Sequence, residues 1–193
     1  MVDILAQFGR ESIAGVVYSG AVPYADPSVI AAIAKTIPQT TLVDILNSTG
    51  NIDTNFAARR AFLDGCFNDP STILSTEYSA LLGATSFSDT VALGLLLSRQ
   101  QDPAPLWKAG REGLPLWLVY GSNEKMVNGT ALIQLVGDNF RNIKIQEIQG
   151  GSHTVFWEHE DIFVKGLKQF AKGVVSTGEK GTSREVKRRL VMN

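Results

Sequence analysis

The chain contains two histidines, His153 and His159, and the first of them is well placed for proton transfer. His153 follows two glycines, Gly150 and Gly151, in a turn between a strand-like run and a helix-like run. Because imidazole titrates near neutral pH, a histidine held on such a turn can accept a proton and return it. The alternative is a surface or capping histidine. His159 is interpreted as a solvated residue at a helix start.

A carboxylate that can pair with His153 follows another strand-like run. Residues 114–120 are continuously apolar and lead into Gly121-Ser122-Asn123-Glu124. Because chemistry in parallel sheets collects beyond the carboxyl ends of the strands, we expect Glu124 to meet His153 there. An acid in that position fixes the tautomer of the imidazole and stabilises its charged form. Asp26 is the second candidate acid, and capping of the next helix is the alternative role for Glu124.

The sequence shows no motif for a nucleophile that could act with this pair. No Gly-x-Ser-x-Gly segment occurs in the chain, and Ser19 ends a strand that feeds no immediate helix. Ser19 is therefore assigned to the lining of a binding pocket, together with Phe156 and Trp157 beside the histidine turn. Cys66 is interpreted as a small buried hydrophobe. No Asp, Glu or Cys set with ligand spacing accompanies the histidines, so neither a metal site nor a cofactor is predicted.

Three strand-like runs separated by helix-like runs predict the α/β class with a parallel sheet. Residues 13–18 and 114–120 are continuously apolar, which is typical of strands covered on both faces. Residues 143–148 begin with alternating apolar and polar side chains, which favours an edge strand with one wet face.

Helix-like runs surround these strands, and residues 24–110 form one all-helical insertion between the first strand and the second. Asp26-Pro27 is interpreted as a helix cap followed by a first-turn proline. Polar residues from 176 onward predict a solvated tail. The predicted helices lie at 2–8, 41–46, 55–66, 72–82, 88–97, 130–136 and 161–172.

Composition limits the remaining classes of function. A length of 193 residues, with 44% hydrophobic and 19% charged residues, is typical of one globular, enzyme-like domain. A net charge of -1 argues against nucleic acid and anionic membrane surfaces as partners. No apolar run approaches the roughly 20 residues of a membrane span, and no secretory signal is visible. We therefore expect a cytoplasmic location by default.

In order and spacing, these residues resemble the C-terminal half of an α/β-hydrolase of the AB hydrolase-1 family. Residues 114–124 resemble the strand that ends in Gly-x-x-Asp, with Glu124 where the family's triad usually has Asp. Gly151-Ser152-His153 followed by Phe156-Trp157-Glu158 resembles the turn that carries the family's histidine, with one extra residue after the glycine. Residues 13–20 resemble the strand that follows the nucleophile helix, and the helical insertion matches the position of the family's cap.

The resemblance implies a division of the chain and a role for each candidate residue. Residues 1–23 and 111–175 would form an incomplete hydrolase core, 24–110 the helical cap, and 176–193 a polar flexible tail. His153 would be the general base and Glu124 the acid that holds it. The substrate of the complete enzyme would be a small apolar molecule with an ester-like bond.

The family's nucleophile elbow and oxyanion loop would lie before residue 1. We therefore expect an N-terminally truncated hydrolase that lacks its Ser or Asp nucleophile. The alternative is a non-catalytic relic of the fold or an interaction module. Because the strand at 13–18 would lack its upstream neighbour, its bare edge would also allow self-association.

Overall fold

A computed structural model describes residues 1–48, 50–86 and 89–190, with side chains as far as residue 176. Within these ranges the chain forms three strands, ten α-helices and two short 3-10 turns, at Arg10–Ser12 and Pro70–Thr72. The α-helices are α1 (Val2–Phe8), α2 (Pro27–Ile33), α3 (Thr36–Asn47), α4 (Ile52–Gly65), α5 (Ser75–Ser86), α6 (Thr90–Ser98), α7 (Ala104–Arg111), α8 (Gly129–Gly137), α9 (Val155–Glu158) and α10 (Glu160–Leu190).

The strands form one parallel sheet in the order β1–β2–β3, which confirms the predicted α/β class. They are β1 (Val16–Ser19), β2 (Leu116–Gly121) and β3 (Ile143–Ile148). Leu116 pairs with Val16 on one side and with Ile143 on the other. All three strands therefore end at the same edge of the sheet.

The position of each strand follows from its side chains. In β2, the central strand, Leu116 to Val119 are all 0% exposed, as the continuous apolar run predicts. In β3, Ile143 and Gln146 are partly buried, three residues are exposed (Lys144, Ile145 and Glu147), and Ile148 is buried at the strand end. β3 lies at an edge of the sheet in the described residues, as predicted, but its exposure does not follow the predicted alternation, because the apolar Ile145 is 44% exposed.

Helices cover both faces of the sheet. On one face, Tyr18 and Leu118 pack with buried residues of α1, α7 and α8. On the other face, Trp117 and Val119 pack with α9 and α10, and the Trp117 ring stacks on Phe163 with centroids 5.4 Å apart. Coverage on both faces explains why the first four residues of the central strand are all apolar and buried.

All the regular structure between β1 and β2 is helical in the described residues, as the sequence predicts. Asp26 caps α2, because its Oδ1 accepts the N–H groups of Ser28 at 2.8 Å and Val29 at 3.4 Å. The predicted cap followed by Pro27 is thereby confirmed. The predicted helix at 88–97 corresponds to α6, and its first predicted residue, Ser88, lies outside the described residues.

The C-terminal helix differs from the prediction. A helix was expected at 161–172 and a flexible tail from 176, but α10 continues to Leu190. The residues after 176 contain many Lys, Arg and Glu and no proline, and such residues are good helix formers. Residues 191–193 of the predicted tail lie outside the described residues.

No single helix in the described part of the chain has the length and apolar character to cross a membrane. The helices α5 and α6 reach that length and composition only when they are joined as a pair, and this pair is bent by 75°.

Candidate active site

His153 and Glu124 are hydrogen-bonded partners at the carboxyl end of the sheet. Glu124 follows β2 and His153 follows β3, and Nδ1 of His153 lies 3.0 Å from Oε2 and 3.2 Å from Oε1 of Glu124. Because a carboxylate accepts hydrogen bonds, this geometry places the proton on Nδ1. The second ring nitrogen, Nε2, is then free to accept a proton. The structure thus brings the two predicted catalytic residues together.

Glu124 is buried, with 5% of its surface exposed, and its oxygens have other donors besides the imidazole. Its Oε1 accepts the N–H groups of Met126 at 2.7 Å and Val127 at 3.3 Å. Lys35 from the helical insertion donates to the main-chain carbonyl of Glu124. A buried carboxylate needs such donors, since leaving it unpaired would be costly. The next helix, α8, is capped by Asn128 and not by Glu124.

The two loops that carry the pair touch through their backbones. A Cβ on Gly121 would lie 2.0 Å from the carbonyl oxygen of Gly151, so only glycine fits there. The N–H of Asn123 donates to the same carbonyl at 2.9 Å, and Ser122 Oγ accepts the N–H of Gly150 at 2.8 Å. These contacts fix the separation between the acid loop (residues 121–124) and the histidine turn (residues 150–153).

Gly20, at the end of β1, is a part of the site that the sequence analysis missed. Its φ is +56°, and a Cβ there would lie 2.8 Å from Nδ1 of His153 and 2.9 Å from Oε2 of Glu124. A side chain at this position would therefore occupy the space that the pair needs. The available signal was a glycine placed directly after a strand at the functional edge of the sheet.

Cys66 lies near the pair but is not an activated nucleophile. Burial, reinforced by the negative charge of Glu124, raises the pKa of its thiol to about 12. Its Sγ also donates to the carbonyl of Phe62 at 3.4 Å. Since the thiolate is the reactive form, Cys66 behaves as the small buried residue that the sequence indicated.

A cavity of about 270 Å³ opens beside His153, between the sheet edge and the helical insertion. Among the residues that line it, His153 has the only ionisable side chain. Its apolar walls come from the turn after β1 and from the insertion, and include Val22, Ile30, Pro38, Leu42, Phe62 and Leu97. The candidate base therefore faces a space suited to hydrocarbon groups.

A larger cavity of about 560 Å³ lies between α1 and α7, and Arg10, Lys108 and Arg111 contribute to its lining. Neither His153 nor Glu124 lines it. The cavity at His153 is the better candidate site despite its smaller size, because it alone of the two is lined by an imidazole that is hydrogen-bonded to a buried carboxylate.

The three residues predicted to line the pocket lie elsewhere. Ser19 is the last residue of β1 and by alternation shares a face with Val17, which packs on the α9 and α10 side of the sheet. Its buried Oγ lacks a hydrogen-bond partner among the described residues. Phe156 and Trp157 lie on α9 and are 46% and 42% exposed. Their rings pack edge-on against Phe163 and Phe67. None of the three is among the residues that line the cavity beside His153.

The remaining two residues that the sequence analysis considered are Asp26 and His159. Asp26, the second candidate acid, caps α2, and its hydrogen bonds with Ser28 hold the pKa of its carboxyl below the ordinary value. His159 is half-buried against Gly151, whereas a solvated position was expected. Within the described residues, no group of three or more His, Cys, Asp or Glu side chains could hold a metal ion.

No family model and no curated protein sequence matches this chain. Solved structures do match its fold. A protein assigned as an aryl esterase from Burkholderia cenocepacia superposes with a TM-score of 0.76 and 25% identity, over 91% of this chain and 60% of its own. The esterase RhEst1 from Rhodococcus sp. ECU1013 has a TM-score of 0.76 and 17% identity, over 90% of this chain and 61% of its own. A bromoperoxidase from Bacillus anthracis has a TM-score of 0.66 and 19% identity, over 89% of this chain and 62% of its own.

The chain therefore spans about 60% of the length of the proteins it resembles. The chain thus has the α/β-hydrolase fold, of which it spans only a part.

Proposed function

We propose that this chain carries the acid–histidine half of the active site of a carboxylic-ester hydrolase, in an N-terminally truncated form. The observation that carries this proposal is the Glu124–His153 hydrogen bond of 3.0 Å at the edge of an apolar cavity. The nucleophile would come from residues that precede this sequence in the complete enzyme. The likeness to a protein assigned as an aryl esterase supports an ester as the substrate.

In the complete enzyme, Nε2 of His153 would remove the proton from a serine hydroxyl as its oxygen attacks the ester carbonyl. Glu124 would stabilise the imidazolium through the hydrogen bond at Nδ1. The imidazolium would then protonate the leaving alcohol, which leaves an acyl-enzyme. His153 would next deprotonate a water that attacks this ester, and would return the proton to the serine oxygen as the acid is released. With an aspartate as nucleophile, the same base would activate the water.

The cavity indicates which part of the substrate lies beside the base. Its walls offer no ionisable partner except His153, so a charged group there would lose its hydration without compensation. We therefore expect a neutral hydrocarbon group, from either the acyl or the alcohol side of the ester, to occupy this space of about 270 Å³.

Hydrolysis of p-nitrophenyl butyrate tests the proposal, first with the chain as given. We expect the chain, His153→Ala and the control His159→Ala to give the same rate as buffer, because the nucleophile is missing. When the coding sequence upstream of residue 1 is joined to the chain, we expect turnover that His153→Ala removes and His159→Ala retains. Turnover by the chain alone that His153→Ala removes would contradict the truncated form, and Ser19→Ala would be measured next.

A second candidate function is a non-catalytic interaction module, and the sheet edge at β1 favours it. In the described residues β1 pairs only with β2. Because Val16 and Gly20 donate their N–H groups toward β2, the N–H of Val17 points to the open edge by alternation. An open edge can accept a strand from another protein or from a second copy of this chain.

The mass in solution, measured by light scattering over a range of concentrations, tests pairing through this edge. Proline is tolerated at sheet edges but removes the donor, so Val17→Pro is expected to abolish association through β1. An unchanged monomer mass at all concentrations would contradict self-association. An upstream stop codon in the gene would favour this second function, and an upstream frame encoding Gly-x-Ser-x-Gly would favour the hydrolase.

A further inference from the structure

One carboxylate outside the acid–histidine pair joins the histidine turn to the helical insertion. Glu158, at the end of α9, is half-buried. Its Oε2 accepts the N–H of Ser152 at 2.8 Å, and its Oε1 accepts the N–H of Asn68 at 2.6 Å. Ser152 directly precedes His153, whereas Asn68 follows α4 of the insertion. A single side chain therefore joins the two segments through both of its oxygens.

The residues on either side of His153, Ser152 and Thr154, are hydrogen-bonded to Cys66, directly after the C-terminal end of α4. The carbonyl of Cys66 accepts the hydroxyls of Ser152 at 2.8 Å and Thr154 at 3.0 Å. It also accepts the N–H of Thr154 at 3.2 Å. Ser152 is 0% exposed, so its polar groups depend on these protein partners. The backbone is thus held on both sides of His153.

We infer that Glu158 is a positioning residue for His153. Its carboxylate fixes the backbone at Ser152, and this fixed backbone holds Nδ1 of His153 at the carboxylate of Glu124. That the placement of His153 matters for turnover rests on the proposed function. The geometric claim stands apart from it, because it concerns the hydrogen bond between two residues that are both in this chain.

The chemistry of Glu158 explains why another residue would not replace it. A carboxylate accepts hydrogen bonds at both oxygens, whereas a glutamine amide has one oxygen and one NH2 group. In Glu158→Gln one of the two N–H groups, of Ser152 or Asn68, therefore loses its acceptor. Hydrogen bonds from N–H groups to an ionised acceptor are also stronger than those to a neutral one. The bridge between the histidine turn and Asn68 is then broken, while the hydrogen bonds of Ser152 and Thr154 to the carbonyl of Cys66 remain and the shape of the side chain is nearly unchanged.

Long-range 1H–15N NMR of the histidines in the full chain tests the inference. In the wild type we expect His153 to carry its proton on Nδ1, with a hydrogen-bonded proton signal that Glu124→Gln removes. We expect Glu158→Gln to remove or shift this signal upfield. The matched control is Glu160→Gln, since Glu160 is exposed and also lies at a helix end, and this variant should retain the wild-type signal.

Thermal unfolding of the same samples separates positioning from general stability. If Glu158→Gln lowers Tm but leaves the Nδ1 signal of His153 unchanged, the role is structural and the inference is overturned. If the variant does not fold, amide hydrogen exchange in the wild type tests whether Glu158 holds the N–H groups of Ser152 and Asn68. Protected amides at Ser152 and Asn68 support the inference, and exchange as fast as in exposed amides overturns it. If the wild type lacks the Nδ1 proton signal while both amides are protected, the acid–histidine pair fails independently of Glu158.

Discussion

Gly20 and His153 lie side by side although their strands, β1 and β3, are separated by β2. A methyl group on Gly20 would come within 2.8 Å of Nδ1 of His153. The end of the first strand therefore shapes the space in which the imidazole meets Glu124. This contact makes the pair depend on all three strand ends, and not only on the two that carry its members.

Gly20→Ala should disrupt the pair. The alanine would be strained at a φ of +56° and would collide with His153 and Glu124. We expect the hydrogen-bonded Nδ1 proton signal to be lost and the free energy of unfolding to fall by about 2–4 kcal/mol, from strain and overpacking together. NMR and urea unfolding measure the two effects.

The matched control is Gly113→Ala, because Gly113 also has a positive φ, +95°, but has open space around its Cα. It should reduce the free energy of unfolding by about 1 kcal/mol through strain alone and keep the Nδ1 signal. A normal His153 signal in Gly20→Ala would mean that the pair tolerates a side chain at the end of β1.

Gly121→Ala should be more damaging to the fold. Its methyl group would meet backbone atoms of Gly151 at 2.0 Å, and backbone atoms cannot rotate away as a side chain can. We expect a loss of about 3 kcal/mol or more in the free energy of unfolding, or no folded protein. Gly83→Ala is the comparison, since Gly83 lies in α5 with nothing nearby and alanine should stabilise that helix by about 0.5–1 kcal/mol. Equal stability of the two variants would contradict the close approach of the loops.

Glu124→Gln should keep the shape of the site but change its hydrogen bonding. The amide leaves Met126 N–H, Val127 N–H or His153 Nδ1 with a poorer partner, so we expect a loss of about 1–3 kcal/mol in stability. In a complete enzyme, turnover should fall by roughly 10²–10⁴-fold, because the imidazole loses the group that holds its tautomer. Asp26→Asn is the control, since asparagine also caps helices well. If Asp26→Asn instead removes the His153 signal, Asp26 is the partner acid.

Cys66 should react slowly with iodoacetamide in the folded protein. Burial raises the pKa of its thiol from an ordinary value near 9 to about 12, so at pH 8 the thiolate fraction is roughly a thousandfold smaller than in the unfolded chain. The rate, followed by mass spectrometry with and without urea, should differ by about this factor. Similar rates in both states would show that Cys66 is accessible.

The sign of the associated pH effect follows from the same shift. Because the folded-state pKa is raised, the unfolded chain loses the thiol proton first as pH increases. The contribution of Cys66 to stability is therefore complete below about pH 9 and decreases as pH rises toward about 12. Cys66→Ala should show a smaller loss of stability over this range in alkaline urea titrations.

The local pattern of the sequence was sufficient to predict the strands and the two chemically important side chains. Continuous apolar residues predicted that β2 is covered on both faces, and alternation predicted that β3 lies at an edge with its observed bounds, Ile143–Ile148. Since parallel strands end at one edge, the positions of Glu124 and His153 after their strands were enough to predict that they meet. The cap at Asp26 was likewise visible, because capping depends on residues that are adjacent in the chain.

The sequence alone was not sufficient for contacts between distant segments or for the direction of side chains near turns. The approach of Gly20 to His153 and the bonds from Glu158 to Ser152 and Asn68 depend on how the insertion folds back over the sheet. Phe156 and Trp157 follow the histidine in sequence, yet neither is among the residues that line the cavity. Local periodicity determined which elements form, because it depends on neighbouring residues. Tertiary packing decided which side chains reach the candidate site, since that depends on the placement of elements up to 90 residues apart.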